Sequence, residues 1–365
     1  MSARLIPTLI PTLTGNYYRD PEILEREFER IFFRSWVLAG REERVAETGD
    51  YFTFQLGPES VLVVRGRDGA LRAFYNVCRH RGSRLCAEES GRFQGAIRCR
   101  YHAWSYALDG TLRAVPHLAD TENFPKQEFS LYPVDVEVWQ GFIFLRLEPR
   151  GETLLAQLGA LPERARPYPL ASLRVGARAE REVDANWKIL IENFMECYHC
   201  PGVHPELADL VPLYRTGEVD ASGSQPPAYR EGAVTSTLSG TTQRPIFAGL
   251  RDRPRQRYHA ELVLPNLLLY LFPDYVCARS LWPVSPTRTR VVSEWLLEPE
   301  TLARPDFDCS DAVAFMDLLG GQDWRVCEAV QQGVVSRAHR HGVMLPQESE
   351  VADVTRWYLE QFEAQ

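Results

Sequence analysis

Long apolar runs are missing from this 365-residue chain. No window supplies the roughly 18 to 20 uninterrupted apolar residues that a membrane-spanning helix needs. Basic residues are also short, with 41 Lys and Arg against 49 Asp and Glu and a formal net charge of -8. That balance argues against nucleic acid as the main ligand, because neutralising phosphates takes Lys and Arg clustered over a whole face. Cysteine is sparse, 8 residues in all, far below the density of disulfide-stapled secreted domains. The first residues carry one positive side chain, Arg4, and an apolar stretch broken by Pro7 and Pro11 before any small-residue cleavage pattern, so no signal peptide is expected. The expectation is a cytoplasmic protein. Metal ligation or plain burial should then account for Cys78, Cys86, Cys99, Cys197, Cys200, Cys277, Cys309 and Cys327.

What is present is a globular composition, 45% hydrophobic and 25% charged, in a chain long enough for two domains. Asp20 and Pro21 open an amphipathic helix whose apolar stripe is Ile23, Leu24, Phe28, Ile31 and Phe32, with Glu22, Glu25, Glu27 and Glu29 filling most other positions up to Trp36. Short β-type runs follow at Tyr51 to Gln55, Val61 to Arg65, Leu71 to Val77 and Phe142 to Leu147, separated by turns such as Arg67-Asp68-Gly69 and Leu108-Asp109-Gly110. The pattern predicts a helical segment over 1–43 that packs on the last domain, a small all-β domain over 44–150, and a mixed domain over 151–365. Within the last, residues 216–256 read as a mobile or interface loop, being rich in Gly, Ser, Thr, Pro and Arg with little periodicity. Strands are expected at Glu261 to Phe272, Tyr275 to Val284 and Thr289 to Leu297, and a helix over Asp306 to Val334.

The first chemical signal is Cys78-Arg79-His80, followed after 18 residues by Cys99-Arg100-Tyr101-His102. Each half offers one thiolate and one imidazole, as a Rieske 2Fe-2S cluster requires, with two Cys on one iron and two His on the other. A Cys₂His₂ zinc site is the competing reading, although Cys-x-His is an unusual zinc spacing. Cys86, between the halves, reads as a small buried thiol. Arg79, Arg81, Arg84, Arg98 and Arg100 make this region locally basic, a surface that would steer an acidic redox partner.

The runs Cys78-Arg-His-Arg-Gly82 and Cys99-Arg-Tyr-His-Ala-Trp104-Ser-Tyr-Ala-Leu-Asp-Gly110 resemble the Rieske domain of aromatic-ring-hydroxylating oxygenase alpha subunits over most of residues 40 to 150. Ala103 stands where that family often has Gly, and the gap between the halves is about one residue longer than is common.

The second signal starts at Asn186, where Trp187, Leu190, Ile191, Phe194 and Tyr198 form one helical stripe and Glu192, Glu196 and His199 the opposite face. Pro201 and Gly202 should end or bend the helix and turn His204 back towards His199. Two imidazoles plus a carboxylate with open positions make the facial triad of non-haem Fe(II) oxygenases. A solvated amphipathic helix is the plainer alternative. Cys197 and Cys200 could suggest zinc or a redox dithiol, with burial the favoured reading for Cys197.

This run resembles the mononuclear-iron motif of the same family, and a Glu at position 196, where most members have Asp, is similar to the glycine-betaine and carnitine branch. Gln322-Asp323-Trp324 resembles the family's C-terminal carboxylate segment, which makes Asp323 the third ligand. Without the resemblance, Asp323 is an acidic residue in the first turn of a helix after Gly320 and Gly321. The resemblance implies an α+β fold: a Rieske all-β domain plus a catalytic domain whose antiparallel sheet curves around a long helix. It further implies a head-to-tail homotrimer, an NAD(P)H-dependent reductase with or without a ferredoxin, a cluster held by Cys78, His80, Cys99 and His102, and O₂ activation at Fe(II) held by His199, His204 and Asp323. Glu196 would bond His199 and, in the trimer, His102 of a neighbouring subunit. The expected reaction is hydroxylation of a small organic substrate, with N-demethylation or C-N cleavage of a methylated or quaternary amine as one outcome. Tyr270, Phe272, Tyr275 and Trp282 are candidates to hold such a cation. Aromatic mono- or dihydroxylation stands as the alternative, as does a Rieske electron carrier without oxygenase activity or a zinc-binding module.

Overall fold

The structure is a computed structural model that describes residues 9–118, 123–148, 151–217 and 226–364. The chain divides into two compact units, one of residues Phe32–Gln157 and one of Met1–Ile31 with Leu158–Gln365. No helix among the described residues is long and apolar enough to cross a membrane.

The smaller unit is all β. Its seven-stranded antiparallel sheet runs Val37–Arg41, Phe142–Arg146, Pro133–Trp139, Leu71–Tyr75, Glu59–Arg65, Asp50–Leu56 and Ser90–Arg92, in that spatial order. Val37–Arg41 pairs with Phe142–Arg146, which draws the start of this unit to the N-terminal side of residue 44. In Glu59–Arg65, Val61, Leu62, Val63 and Val64 are all buried, so both faces of the sheet are covered there. A second, three-stranded sheet joins Ile97–Arg98, Ser105–Tyr106 and Leu112–Ala114. One apolar cluster fills the space around it and includes Leu62, Phe74, Cys78, Cys99, Trp104 and Tyr106.

The larger unit is built on a five-stranded antiparallel sheet in the order Arg174–Val183, Arg288–Leu297, Val276–Ser285, Leu267–Leu271 and Ala260–Val263. The run expected as one strand from Glu261 to Phe272 is a hairpin, since its chain turns at Leu264, Pro265 and Asn266. Arg174–Val183, with its polar and half-exposed side chains, is a strand that the sequence pattern did not reveal. Val276–Ser285 buries its first eight residues in a row, as a central strand covered on both faces does. The helix Trp187–Phe194 packs on that strand and on the 25-residue helix Ser310–Val334. The sheet curls around these helices, the α+β arrangement expected.

The Asn186-Trp187-Lys188 run anchors the short helix. Asn186 caps it by accepting from Lys188 N at 3.0 Å. Trp187 Nε1 donates to Glu27 Oε2 at 2.7 Å, Lys188 Nζ to Glu27 Oε1 at 2.5 Å, and Tyr358 hydroxyl to the same oxygen at 2.7 Å. Glu27 is wholly buried, not on a solvated face of its helix Pro21–Glu27. Its two oxygens satisfy three donors that would otherwise be unpaired in the interior. Residues 226–256 of the expected loop are packed as well. Tyr229, Thr235, Ser236 and Phe247 are buried, and Tyr229 and Ser236 share a hydroxyl bond at 2.9 Å. Residues 218–225 of that loop lie outside the described residues.

Candidate functional site

The smaller unit holds its two Cys and two His on a pair of loops with matching backbone bonds. Cys78 N donates to Ser83 O at 2.8 Å and Gly82 N to Cys78 O at 3.0 Å, while Cys99 N donates to Trp104 O at 2.8 Å and Ala103 N to Cys99 O at 3.1 Å. Both turns need a left-handed residue at their fourth bond, with φ of 72° at Gly82 and 57° at Ala103. The loops bring the thiols together inside the apolar cluster, each 2% exposed, and leave His80 and His102 at the surface. The imidazole centroids lie 4.6 Å apart, and His80 stacks on Trp104 at 4.8 Å. Tyr106 hydroxyl lies 3.3 Å from Cys78 Sγ and accepts from Arg79 N at 3.1 Å. Two buried sulfurs below two exposed imidazoles fit the donor set of a Rieske cluster. Cys86 is buried nearby, and burial pushes its thiol up to about 12, an inert group. Of the five arginines, Arg100 is tied to Glu88 at 2.6 Å and Arg84 to Ser60 at 3.1 Å.

The larger unit brings His199, His204 and Asp323 together, with one donor atom of each within 4.8 Å of the others. The helix that starts at Trp187 stops at Phe194, so Glu196 and His199 lie in the following turn and not on its polar face, and Tyr198 is exposed. The bend precedes His199. Pro201 sits in the first turn of the next short helix, Cys200–Val203, where proline is tolerated. In that turn Glu196 Oε2 accepts from the backbone N of Tyr198 and, at 3.2 Å, of His199. Cys197 is buried, as favoured, and so is Cys200; of the two alternatives, zinc or a redox dithiol, the disulfide that joins them is the oxidised form of the second. Asp323 lies in the middle of Ser310–Val334 and not in a first turn, so a helix dipole does not account for it.

The outer nitrogens explain the aim of the inner ones. His199 Nδ1 donates to Glu196 Oε1 at 2.5 Å, which leaves Nε2 facing His204 Nε2 at 3.2 Å and Asp323 Oδ1 at 3.5 Å. His204 Nδ1 donates to Gln322 Oε1 at 2.7 Å, which leaves its Nε2 2.8 Å from Asp323 Oδ1. Gln322 is held in turn by donating to Glu206 Oε2 at 2.9 Å. Such partners fix the tautomer and orientation of metal-binding imidazoles. Gln322 went unassigned at the sequence level, and its only signal was its place beside Asp323. Burial alone would lower the His199 pKa, yet the Asp323 and Glu196 carboxylates raise it to about 9. Burial would raise Asp323, yet both imidazoles hold it below the ordinary carboxylate range. A divalent cation can take over the part these protons play. Two imidazole nitrogens and one carboxylate oxygen, convergent and oriented from behind, suit a mononuclear iron with open positions.

These three side chains open on a cavity of about 410 Å³, walled by Phe194, Tyr214, Tyr258, Tyr270 and Trp324 and also touched by Arg279 and Glu196. Of the four aromatic residues expected to face substrate, only Tyr270 lines it. Phe272 and Tyr275, in the turn between two strands, and Trp282, within a strand, are buried outside its lining.

Residues 170–364 match the family model of the ring hydroxylating alpha subunit (catalytic domain), and residues 35–125 that of the Rieske [2Fe-2S] domain. The chain belongs to the Rieske ring-hydroxylating oxygenase alpha subunits. The glycine betaine monooxygenase oxygenase subunit of Pseudomonas aeruginosa is 31% identical over 386 residues, covering 96% of this chain and 88% of that one. The carnitine monooxygenase oxygenase subunit of Acinetobacter baumannii is 37% identical over 207 residues, 56% of each chain. A quaternary ammonium Rieske monooxygenase, solved in complex with L-carnitine, superposes with a TM-score of 0.76 at 26% identity over 98% of this chain and 97% of that one. This oxygenase subunit is therefore the terminal component of a system that uses O₂ and electrons from NAD(P)H supplied through a reductase. In this family the Rieske domain carries a 2Fe-2S cluster and the catalytic domain a mononuclear iron.

Proposed function

We propose that this oxygenase hydroxylates an N-methyl carbon of a methylated or quaternary amine, with Cys78, His80, Cys99 and His102 holding the cluster and His199, His204 and Asp323 the iron. The carrying observation is the cavity of about 410 Å³, in which aromatic rings stand beside the two imidazoles and the carboxylate. Aromatic faces attract a quaternary ammonium, by roughly 2 kcal/mol or more where water is excluded. The similarity to glycine betaine and carnitine monooxygenase subunits supports the same class. When bound, the iron supplies O₂ activation for hydroxylation, and the cluster supplies electrons one at a time. Glu196 and Gln322 hold the Nδ1 protons of His199 and His204, so that both Nε2 lone pairs remain available. Phe194, Tyr258 and Tyr270 exclude water and orient the methyl group. A carbon hydroxylated beside nitrogen then collapses to an amine and formaldehyde.

We also infer a cytoplasmic location, which dependence on NAD(P)H-derived electrons supports, and a head-to-tail homotrimer in which Glu196 of one copy bonds His102 of the next. The position of Glu196 behind His199 supports that bridge. The test is a substrate panel with purified holoenzyme, a surrogate reductase and NADH. Methylated amines should couple NADH and O₂ consumption to formaldehyde release. Coupling by aromatic acids with failure of every methylated amine would overturn the assignment.

A further inference from the structure

Among its described residues the catalytic unit buries three cations other than histidine: Lys188, Arg244 and Arg279. Two of them follow the usual rule. Lys188 meets Glu27 at 2.5 Å, and Arg244 lies between Asp274 at 2.9 Å and Asp311 at 2.5 Å. Arg279 breaks it. The residue is 3% exposed, and its bonds go to neutral acceptors, Nε to Ser293 Oγ at 3.0 Å and Nη2 to the Met316 carbonyl at 3.3 Å. No carboxylate of the described residues lies within ion-pair distance of it. Asp323 acts on it only from farther off, and that carboxylate faces the two imidazoles.

An uncompensated buried charge is costly, and such a charge is retained where a ligand completes it. Arg279 lines the same cavity as the three candidate iron ligands. Its guanidinium lies over the Trp324 ring at 5.0 Å and beside Tyr270 at 5.5 Å, which fixes its plane. Room for it is built into the long helix, where a Cβ at Gly320 would come within 3.3 Å of Arg279 Nη2 and 3.1 Å of Trp324. Gly320 precedes Asp323 by about one helical turn. A simple cation lying against Arg279 would meet like charge, although Glu196, Glu261, Asp323 and Glu350 line other parts of the cavity. A carboxylate there would meet a buried planar donor fork, the geometry that suits carboxylates.

We propose that Arg279 binds a carboxylate of the substrate. Combined with the amine reading above, on which its cationic half rests, this makes the substrate a zwitterion: a methylated amine that also bears a carboxylate. The ammonium packs on the aromatic wall and the carboxylate on Arg279, so the pair enters with no net charge.

The experiment uses the iron-loaded oxygenase and three probes, with binding read by titration calorimetry and by thermal shift. Glycine betaine and choline share a trimethylammonium group and differ in carboxylate against hydroxymethyl, and benzoate has a carboxylate without ammonium. Wild-type protein should bind glycine betaine at least about thirtyfold more tightly than choline, the loss expected when a buried charged partner is missing. Arg279→Gln should erase that preference and Arg279→Lys restore part of it. Ligand-free Arg279→Met should melt no lower than wild type, because it removes an uncompensated charge, whereas a purely structural arginine would lower the melting point. Equal binding of glycine betaine and choline by wild type, or undiminished glycine betaine binding by Arg279→Gln, overturns the proposal and leaves the amine reading standing. Arg279-dependent binding of benzoate with no binding of either amine overturns the amine reading and upholds the carboxylate role. The wild-type comparison decides the matter even if a variant fails to fold.

Discussion

The Rieske and catalytic regions assemble their donors in opposite ways. In the first, all four candidate ligands sit on two loops whose backbone bonds repeat each other, so local turn geometry nearly suffices. In the second, His199 and His204 come from one turn but Asp323 lies 119 residues beyond His204, and only packing of the long helix brings it to 2.8 Å. The imidazoles of the first are exposed, while those of the second open on an aromatic cavity. A centre built from local turns should therefore survive damage that a centre built from packing does not.

The largest expected effect tests whether the two centres are separable at all. His204→Ala should lower iron from about three to two per chain and turnover by about 10⁴-fold or more, with the visible spectrum of the cluster unchanged; Cys99→Ser should remove that spectrum. Iron analysis with absorbance reads both. Loss of both centres in each variant would show that they do not assemble independently.

Next in size is the anchor beneath the catalytic helix. Glu27→Ala leaves Lys188 buried without its partner and should cost about 3–5 kcal/mol in the catalytic unit, with the cluster spectrum retained at temperatures where mononuclear iron is lost. A change below about 1 kcal/mol in urea melts would mean that water reaches Lys188.

Glu192 adds a pH dependence confined to the same region. Burial raises its pKa to about 7, against a Tyr18 hydroxyl bond at 2.8 Å and the Lys188 charge, which lower it. Its ordinary value is 4.5. Between these values the folded protein keeps a proton that the unfolded chain has released, so stability falls as pH rises through that window. The loss, about 3 kcal/mol, is complete above pH 7. Glu192→Gln should match wild type near pH 4 and exceed it by up to that amount at pH 8. Parallel pH profiles of the two proteins would contradict this.

Glu196→Gln should act on rate rather than stability. Both metal centres should stay, while single-turnover oxidation of the reduced cluster slows roughly 100-fold, as loss of a bond behind a metal ligand does. Full-speed oxidation would reduce Glu196 to a turn-former.

The same contrast explains what could be read from sequence. Cys78, His80, Cys99 and His102 were legible because a spacing along the chain sets a spacing in a turn, and His199 and His204 for the same reason. Asp323 was visible only through family resemblance, since periodicity carries no information across 119 residues. Glu27 was given no role of its own because a helical pattern separates polar from apolar faces without saying whether another element covers the polar one. Residues 226–256 were read as a mobile or interface loop, and their packing went unseen because composition does not disclose buried bonds such as Tyr229 to Ser236 or Thr235 to Asp274. Arg279 carried no signal at all, because a sequence does not disclose that a buried cation meets only neutral acceptors.

The smallest effect sits in the Rieske loops, where the departure from the family's glycine can be given a magnitude. Ala103 holds φ at 57°, a left-handed conformation that costs a residue with a Cβ about 1–2 kcal/mol. Glycine would relieve that strain but lose about 0.5–1 kcal/mol through the freedom of its unfolded chain. Ala103→Gly should therefore stabilise the Rieske unit by at most about 1.5 kcal/mol. The matching position in the other loop offers the reverse experiment. A Cβ at Gly82 meets nothing within 4 Å, so Gly82→Ala changes only the backbone term and should destabilise by a similar amount. Urea melts followed through the cluster's absorbance measure both. Equal and opposite shifts would mean that the two loops are equivalent cradles, each tolerating alanine at a fixed cost. A large loss from Gly82→Ala alone would mean that the first loop must flex as the cluster binds and the second need not.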